Sequence, residues 1–301
     1  MRIGLYRAGV LTNCNVKLTT GERDKGHQIV NARDTKLNKG LINLVESFDK
    51  IETCFFNYDY EKGKEIFSDY NLFPDSAKPI CESVMFICEL FSDWDQFNFI
   101  AVSNKLMHMN RNLPPKVKTV LQKTYKPIVK NILSSDEEIH PCWIMEFWNS
   151  SLRSWQRKQY SETMLKIYRF LEAVAQNCAS EIIDKELIKI NKMNFFDCLK
   201  TIKDNPVKKD IPGMEFLIKY YEWIMDIAEK RNMSIFAHGY KPIVKTDLES
   251  IKFKLENEFI KDLENRRYPS HSGTQLKFKE HQLPTSLEDF GMSIYESWLK
   301  I

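Results

Sequence analysis

Two residues in this chain are spaced for chemistry on a phosphate. Arg231 and His238 stand seven apart. On an ideal α-helix that is two turns, about 20° off register, so both would share one face if a helix ran that far. The stripe Leu217, Tyr220, Ile224 and Ile227 leads into them, which puts a guanidinium on a core-facing line. A charge there is costly unless it is paired or used. A neutral histidine exchanges a proton near pH 7. A guanidinium grips a phosphate through two N–H groups and stabilises charge that develops on it. Together they can cleave RNA without a metal, the ribose 2′-hydroxyl attacking the neighbouring phosphate. Asn232 and Ser234 could add donors. One pair is thin for a full acid–base cycle, and a two-fold dimer would bring two together.

The same residues also fit a plain structural role: an arginine snorkelling at a helix end beside a satisfied histidine, with Gly239 stopping the helix. Spacing alone does not separate the two. Composition predicts roughly 0.7 Arg–His pairs with four to six residues between them, and two occur. The second is Arg266 and His271, in Arg266-Arg267-Tyr268-Pro269-Ser270-His271. It lies in a Pro/Ser-rich helix exit with no apolar stripe to aim it, and it reads as a decoy.

Other clusters are weaker. Asp93-Trp94-Asp95 and Asp136-Glu137-Glu138 have no histidine at metal spacing and read as solvated loops. Lys123 to Lys126 and Lys189 to Lys192 read as solvated helix faces. Phe91, Trp94, Phe97 and Phe99 have core spacing rather than that of a base-stacking platform. With no GxGxxG and no Walker motif, a nucleotide cofactor has no support. No cofactor and no metal are expected.

The elements that would carry the pair are mostly helical. Residues 1–40 hold five of the ten glycines. They predict a β-hairpin, strands at 14–20 and 27–32 around an exposed turn at Gly21–Gly26. A lone hairpin is marginal in water. From Leu41 the period changes: Leu41, Leu44, Val45, Phe48, Ile51 and Phe55 form one amphipathic face. Further helices are expected near 61–70, 77–91, 95–107, 116–133 and 143–158. Ser134 to Pro141 reads as a linker, with a domain boundary near 145. Met164, Tyr168, Leu171, Ala175, Cys178 and Ile182 mark the clearest helix, with Ser161 as its expected N-cap. Another helix starts near Met214. Thr246 to Glu249 has capping-box spacing before the stripe Leu248, Ile251, Leu255, Phe259 and Leu263. The tail suggests one short helix at 286–299. No internal repeat is visible.

Composition agrees. A length of 301 residues suits about two domains. Hydrophobic residues at 43% with 28% charged exclude general disorder. Net charge is +3, from 44 basic and 41 acidic residues, which argues against a basic groove over the whole surface. Ten glycines and eleven prolines are few for sandwiches, barrels or doubly wound sheets. The seven cysteines include no CxxC pair and predict free thiols in a reducing cytosol. The first ten residues are too polar for a signal peptide, and no run nears 18 apolar residues. A cytoplasmic protein with no membrane partner is expected.

The motif Arg231-Asn232-Met233-Ser234-Ile235-Phe236-Ala237-His238-Gly239 resembles the active site of HEPN-domain ribonucleases. More specifically, the chain resembles the CRISPR-associated CARF–HEPN family of type III antiviral systems. Phe55-Phe56-Asn57-Tyr58-Asp59-Tyr60-Glu61 is similar to the family's six-helix middle domain. Arg157-Lys158-Gln159-Tyr160, running into Leu165 to Glu172, is similar to the first HEPN helix. The likeness spans about residues 15 to 265. Thr19 to Gly26 looks like the closing hairpin of the CARF domain, and that domain's threonine- and glycine-rich ligand loop is not found upstream. The expectation is that cyclic oligoadenylate neither binds nor stimulates this chain by itself.

The resemblance implies a mainly α protein: a hairpin remnant at 1–40, a helical domain at 41–145, a HEPN bundle at 146–268 and a tail at 269–301. It implies a metal-independent endoribonuclease acting on single-stranded RNA as a homodimer. Arg231 would hold the scissile phosphate, His238 would exchange protons and Asn232 would support them. A non-catalytic helical dimerisation or RNA-binding module is the alternative.

Overall fold

The computed structural model describes residues 18–23, 29–35, 39–67, 75–109, 113–134, 140–183, 193–205, 211–234, 239–268, 274–290 and 292. The chain is mainly α, as its composition and periodicity predict. Strands β1 (Leu18–Arg23) and β2 (Ile29–Thr35) pair antiparallel. The turn expected at Gly21–Gly26 is displaced, because β1 continues through Gly21 to Arg23. The register shifts there, so that Gly21 spans two residues of β2, Asn31 and Ala32. The glycine sits at a bulge rather than in the turn.

Helices follow in order: α1 (Lys39–Phe56), α2 (Tyr60–Ile66), α3 (Lys78–Asp95), α4 (Phe99–Met107), α5 (Pro115–Val120) and α6 (Lys126–Leu133). Then come α7 (Pro141–Gln156), α8 (Tyr160–Ile182), α9 (Phe195–Asp204), α10 (Met214–Lys219), α11 (Tyr221–Asn232), α12 (Lys245–Lys254) and α13 (Ile260–Asn265). Short π-helical turns join α5 to α6 and α12 to α13. The apolar stripes face inward as their spacing predicts. Leu44, Phe48, Ile51 and Phe55 of α1 are buried, as are Leu248, Ile251, Leu255, Phe259 and Leu263 along α12 to α13. Phe91, Trp94 and Phe99 are core residues in edge-on and tilted contacts.

Three helix pairs are joined by the same link. α1 to α2, α3 to α4 and α7 to α8 are each connected by three residues, the middle one left-handed: Tyr58 (φ 55°), Phe97 (φ 58°) and Lys158 (φ 61°). In each, that residue's N–H donates three residues back: Tyr58 to Phe55, Phe97 to Trp94 and Lys158 to Trp155. The next N–H reaches five back: Asp59 to Cys54, Asn98 to Asp93 and Gln159 to Ser154. This is a Schellman closure made without glycine. Asp59 and Asn98 also cap the following helices with their side chains. The repeat lies in backbone geometry, which is why the residue text hides it. It also moves the start of α8 to Tyr160, so Ser161 is not the N-cap. Its hydroxyl instead accepts from Ile243 N at 3.4 Å. Likewise α12 begins at Lys245, ahead of Thr246, with Asp247 accepting from the N–H of Val244 at 3.0 Å.

Asp93-Trp94-Asp95 is not a solvated loop. Trp94 is fully buried, Asp93 pairs with Lys105 at 2.7 Å, and Asp95 receives Arg153 Nε at 2.7 Å and Arg157 Nη1 at 2.6 Å. The buried Arg153 also pairs with the buried Glu146. Burial alone pushes the Asp95 carboxyl up, but the two guanidiniums outweigh it and hold it below its ordinary value. One buried and one partly buried acid beside two arginines satisfy the rule that interior charge must be paired.

Position 145 lies one turn inside α7, and the buried side chains form a continuous cluster from Leu44 to Met292. The C-terminal segment 274–290 straps both halves. Asn149 Nδ2 donates to Phe278 O at 3.0 Å and Tyr60 Oη to Pro284 O at 2.7 Å. Its own Leu276, Phe278, Leu283, Leu287 and Phe290 are buried. Its described helical content is two 3-10 turns, Phe278–His281 and Leu287–Phe290; of the helix expected at 286–299, the start is the second of these turns, and 291 and 293–299 lie outside the described residues.

Candidate active site

The helix expected to run from Met214 toward His238 is interrupted and short. It breaks at Tyr220, between α10 and α11, and α11 ends at Asn232. Met233 is its C-cap, Ser234 N bonds Arg231 O at 3.0 Å, and Ser234 enters a parallel bridge with Lys241. The helix that carries Arg231 therefore stops one residue after it.

Beyond that end the chain returns tightly on itself. Gly239 N donates to Ser234 O at 3.0 Å and Lys241 N to Met233 O at 3.2 Å. A Cβ on Gly239 would lie 1.9 Å from Met233 O, so only glycine allows this approach. Ser234 is buried at the neck. His238, with Ile235, Phe236 and Ala237, lies outside the described residues.

Arg231 occupies the last turn of α11, half-buried. Its guanidinium carbon stands 4.8 Å from the centroid of the Tyr168 ring, within the range of a cation–π contact. Nη1 donates to Asn232 Oδ1 at 3.0 Å. Its Nε is buried and meets no hydrogen-bond partner among the described residues, and no carboxylate there pairs with the group. Asn232 itself is exposed. Tyr168 belongs to α8 and meets Phe195 of α9 edge-on at 5.1 Å. Burial pushes its phenol up, with the Glu172 carboxylate adding to the rise and Arg231 opposing it.

The other Arg–His pair differs in its electrostatics. Arg266 Nε contacts Asp262 Oδ1 at 2.7 Å and Nη2 contacts Glu215 Oε2 at 3.1 Å. That charge is already neutralised by two carboxylates. His271 lies outside the described residues. In the sequence Tyr168 stands on a core stripe and within the Leu165 to Glu172 stretch, with no chemical role assigned to it. The signal available was its phenol, the one hydroxyl on a line otherwise made of Met164, Leu171, Ala175, Cys178 and Ile182.

Among the described residues, no group of three or more His, Cys, Asp or Glu side chains could hold a metal ion, and no helix is long and apolar enough to cross a membrane. The six described cysteines are all buried and free. The chain matches no family model, no curated protein and no solved structure.

Proposed function

We propose that this chain is a metal-independent endoribonuclease of the HEPN type, cleaving single-stranded RNA in type III CRISPR defence. The observation that carries the reading is Arg231: a half-buried guanidinium, backed by an aromatic ring and free of any carboxylate among the described residues. Such a group is electrostatically unfinished, and a phosphate completes it. Arg266, the alternative, is already completed by Asp262 and Glu215.

In this reading Arg231 holds the non-bridging oxygens of the scissile phosphate, and Asn232 orients the guanidinium through its 3.0 Å bond. His238, assigned from the motif, takes the 2′-hydroxyl proton. The 2′ oxygen then bonds to phosphorus as the 5′ oxygen leaves with a proton, giving a 2′,3′-cyclic phosphate and a 5′-hydroxyl end. A homodimer supplies the second histidine for that proton. Residues 146–268 form the HEPN bundle, residues 41–145 the helical middle domain, and the β1–β2 hairpin closes a CARF-like unit.

The test is incubation of the purified chain with end-labelled single-stranded RNA in EDTA, with light scattering alongside. Cleavage to cyclic-phosphate ends by a dimer, lost in Arg231→Ala and in His238→Ala, is the expected result. RNA binding without cleavage would support the non-catalytic module instead. Cleavage that persists in both variants would overturn the assignment of this pair.

A further inference from the structure

The ring beneath Arg231 has no role in the reaction as drawn, yet its placement is specific. We propose that Tyr168 is a positioning residue for Arg231: its ring fixes the plane of the guanidinium so that the remaining N–H edges meet the phosphate in one orientation. This inference rests on the ribonuclease reading above.

Three observations converge on it. The guanidinium carbon is 4.8 Å from the ring centroid, so the ring occupies one face of the cation and leaves its edges. Among the described residues those edges engage only Asn232, and Nε has no partner. The ring is itself held: Phe195 meets it edge-on at 5.1 Å, and its neighbours on the stripe of α8, Met164 and Leu171, are fully buried. A rigid platform thus comes from α8, while the charge comes from the last turn of α11, just before the chain turns back at Ser234.

The platform answers a physical need. An arginine at a helix end has many rotamers, and a catalytic guanidinium gains from losing that freedom before substrate arrives. A flat ring does this without neutralising the charge, as a carboxylate would. Glu172, the carboxylate one turn along α8 from Tyr168, pairs with Arg169 and leaves Arg231 to the ring.

The experiment measures kcat and KM on single-stranded RNA in EDTA for Tyr168→Leu, Tyr168→Phe and Arg231→Ala. Tyr168→Leu should lower kcat roughly tenfold, the size of a half-buried cation–π contact, with KM nearly unchanged. Tyr168→Phe should keep wild-type kcat, since the ring and not the hydroxyl does the holding. With enzyme in excess, Tyr168→Leu should cost nothing further once Arg231 is alanine. A loss through general loosening of the fold would instead add to the Arg231→Ala loss. If Tyr168→Leu loses its helical signal, Tyr168→Met carries the same comparison. Equal damage from Phe and Leu overturns the proposal. So does a wild-type rate in Tyr168→Leu beside an inactive Arg231→Ala, and the ribonuclease reading then stands without it. The double variant is read on the residual single-turnover rate of Arg231→Ala; a wild-type rate in Arg231→Ala brings down the reading itself.

Discussion

Arg157 Nη1 donates to the main-chain oxygen of Tyr58 at 3.1 Å across 99 residues of sequence, and to Asp95 Oδ2 at 2.6 Å. One side chain from the third helix link therefore grips the left-handed residue of the first and the carboxylate that precedes the second. The three links of identical backbone shape meet at this point, and Arg153 and Glu146 extend the contact into α7. Lys166 of α8 joins it through Ser154 at 2.8 Å. The same α8 carries Tyr168 beneath Arg231, so a buried ionic knot sets the helix on which the candidate site rests.

Asp95→Ala should therefore be severe. It leaves Arg157 without its carboxylate and Arg153 with only Glu146, and breaking a buried pair costs about 3–5 kcal/mol. Denaturant unfolding should show that loss at neutral pH. Because the Asp95 carboxyl is held below its ordinary value of 3.8, its contribution is present above that value. It disappears as pH falls through the lower folded value. The deficit of the variant should thus shrink in acid; a deficit that stays constant would show that the ion pairs are not its source.

The left-handed links separate two kinds of side chain. Lys158→Gly relieves φ 61° at a position whose side chain is exposed and should stabilise by about 0.5–1 kcal/mol. Phe97→Gly relieves φ 58° but removes a ring stacked on Trp143 at 6.2 Å and tilted against Phe147 at 5.8 Å. It should destabilise by about 2 kcal/mol or more. Thermal melts of the two variants should move in opposite directions.

His281, in the C-terminal strap, is mostly buried, and burial lowers its pKa to about 4 from 6.5. The unfolded chain takes up this proton near pH 6.5 while the folded chain resists it until about pH 4. Stability should fall with pH across that window, by about 3 kcal/mol in all. Urea midpoints measured from pH 7 to pH 4 check the slope, and His281→Gln should flatten it.

The two arginines should part in both rate and stability. Arg266→Ala breaks contacts to Asp262 and Glu215 and should cost about 0.5–1 kcal/mol with no change in RNA cleavage. Arg231→Ala should stay within about 1 kcal/mol of wild type while cleavage is lost. The reverse pattern in the cleavage assay would mean that Arg266 and His271 form the working pair.

How much of the molecule is legible in its residues depends on the range of the interaction. The helices of α1, α8 and α12 follow from local periodicity, since Leu44 to Phe55 and Leu248 to Leu263 repeat at the α-helical step and only a helix buries them together. The candidate roles of Arg231, Asn232 and His238 also rest on residue type and order. The end of α11 does not, because nothing local in Met233-Ser234 stops a helix. It stops because Gly239 comes back against Met233, a contact between residues six apart that no helical spacing encodes. Asp95 looked solvated because its partners, Arg153 and Arg157, lie 58 and 62 residues away. Tyr168 looked like one more core residue until α11 brought a guanidinium over its ring. Sequence alone determined which segments are helical and which side chains are candidates for chemistry, because backbone hydrogen bonding and apolar burial act over a few residues. Only the tertiary structure decided which charges are paired and which are left open, because electrostatic pairing depends on distances in space that the order of residues does not contain.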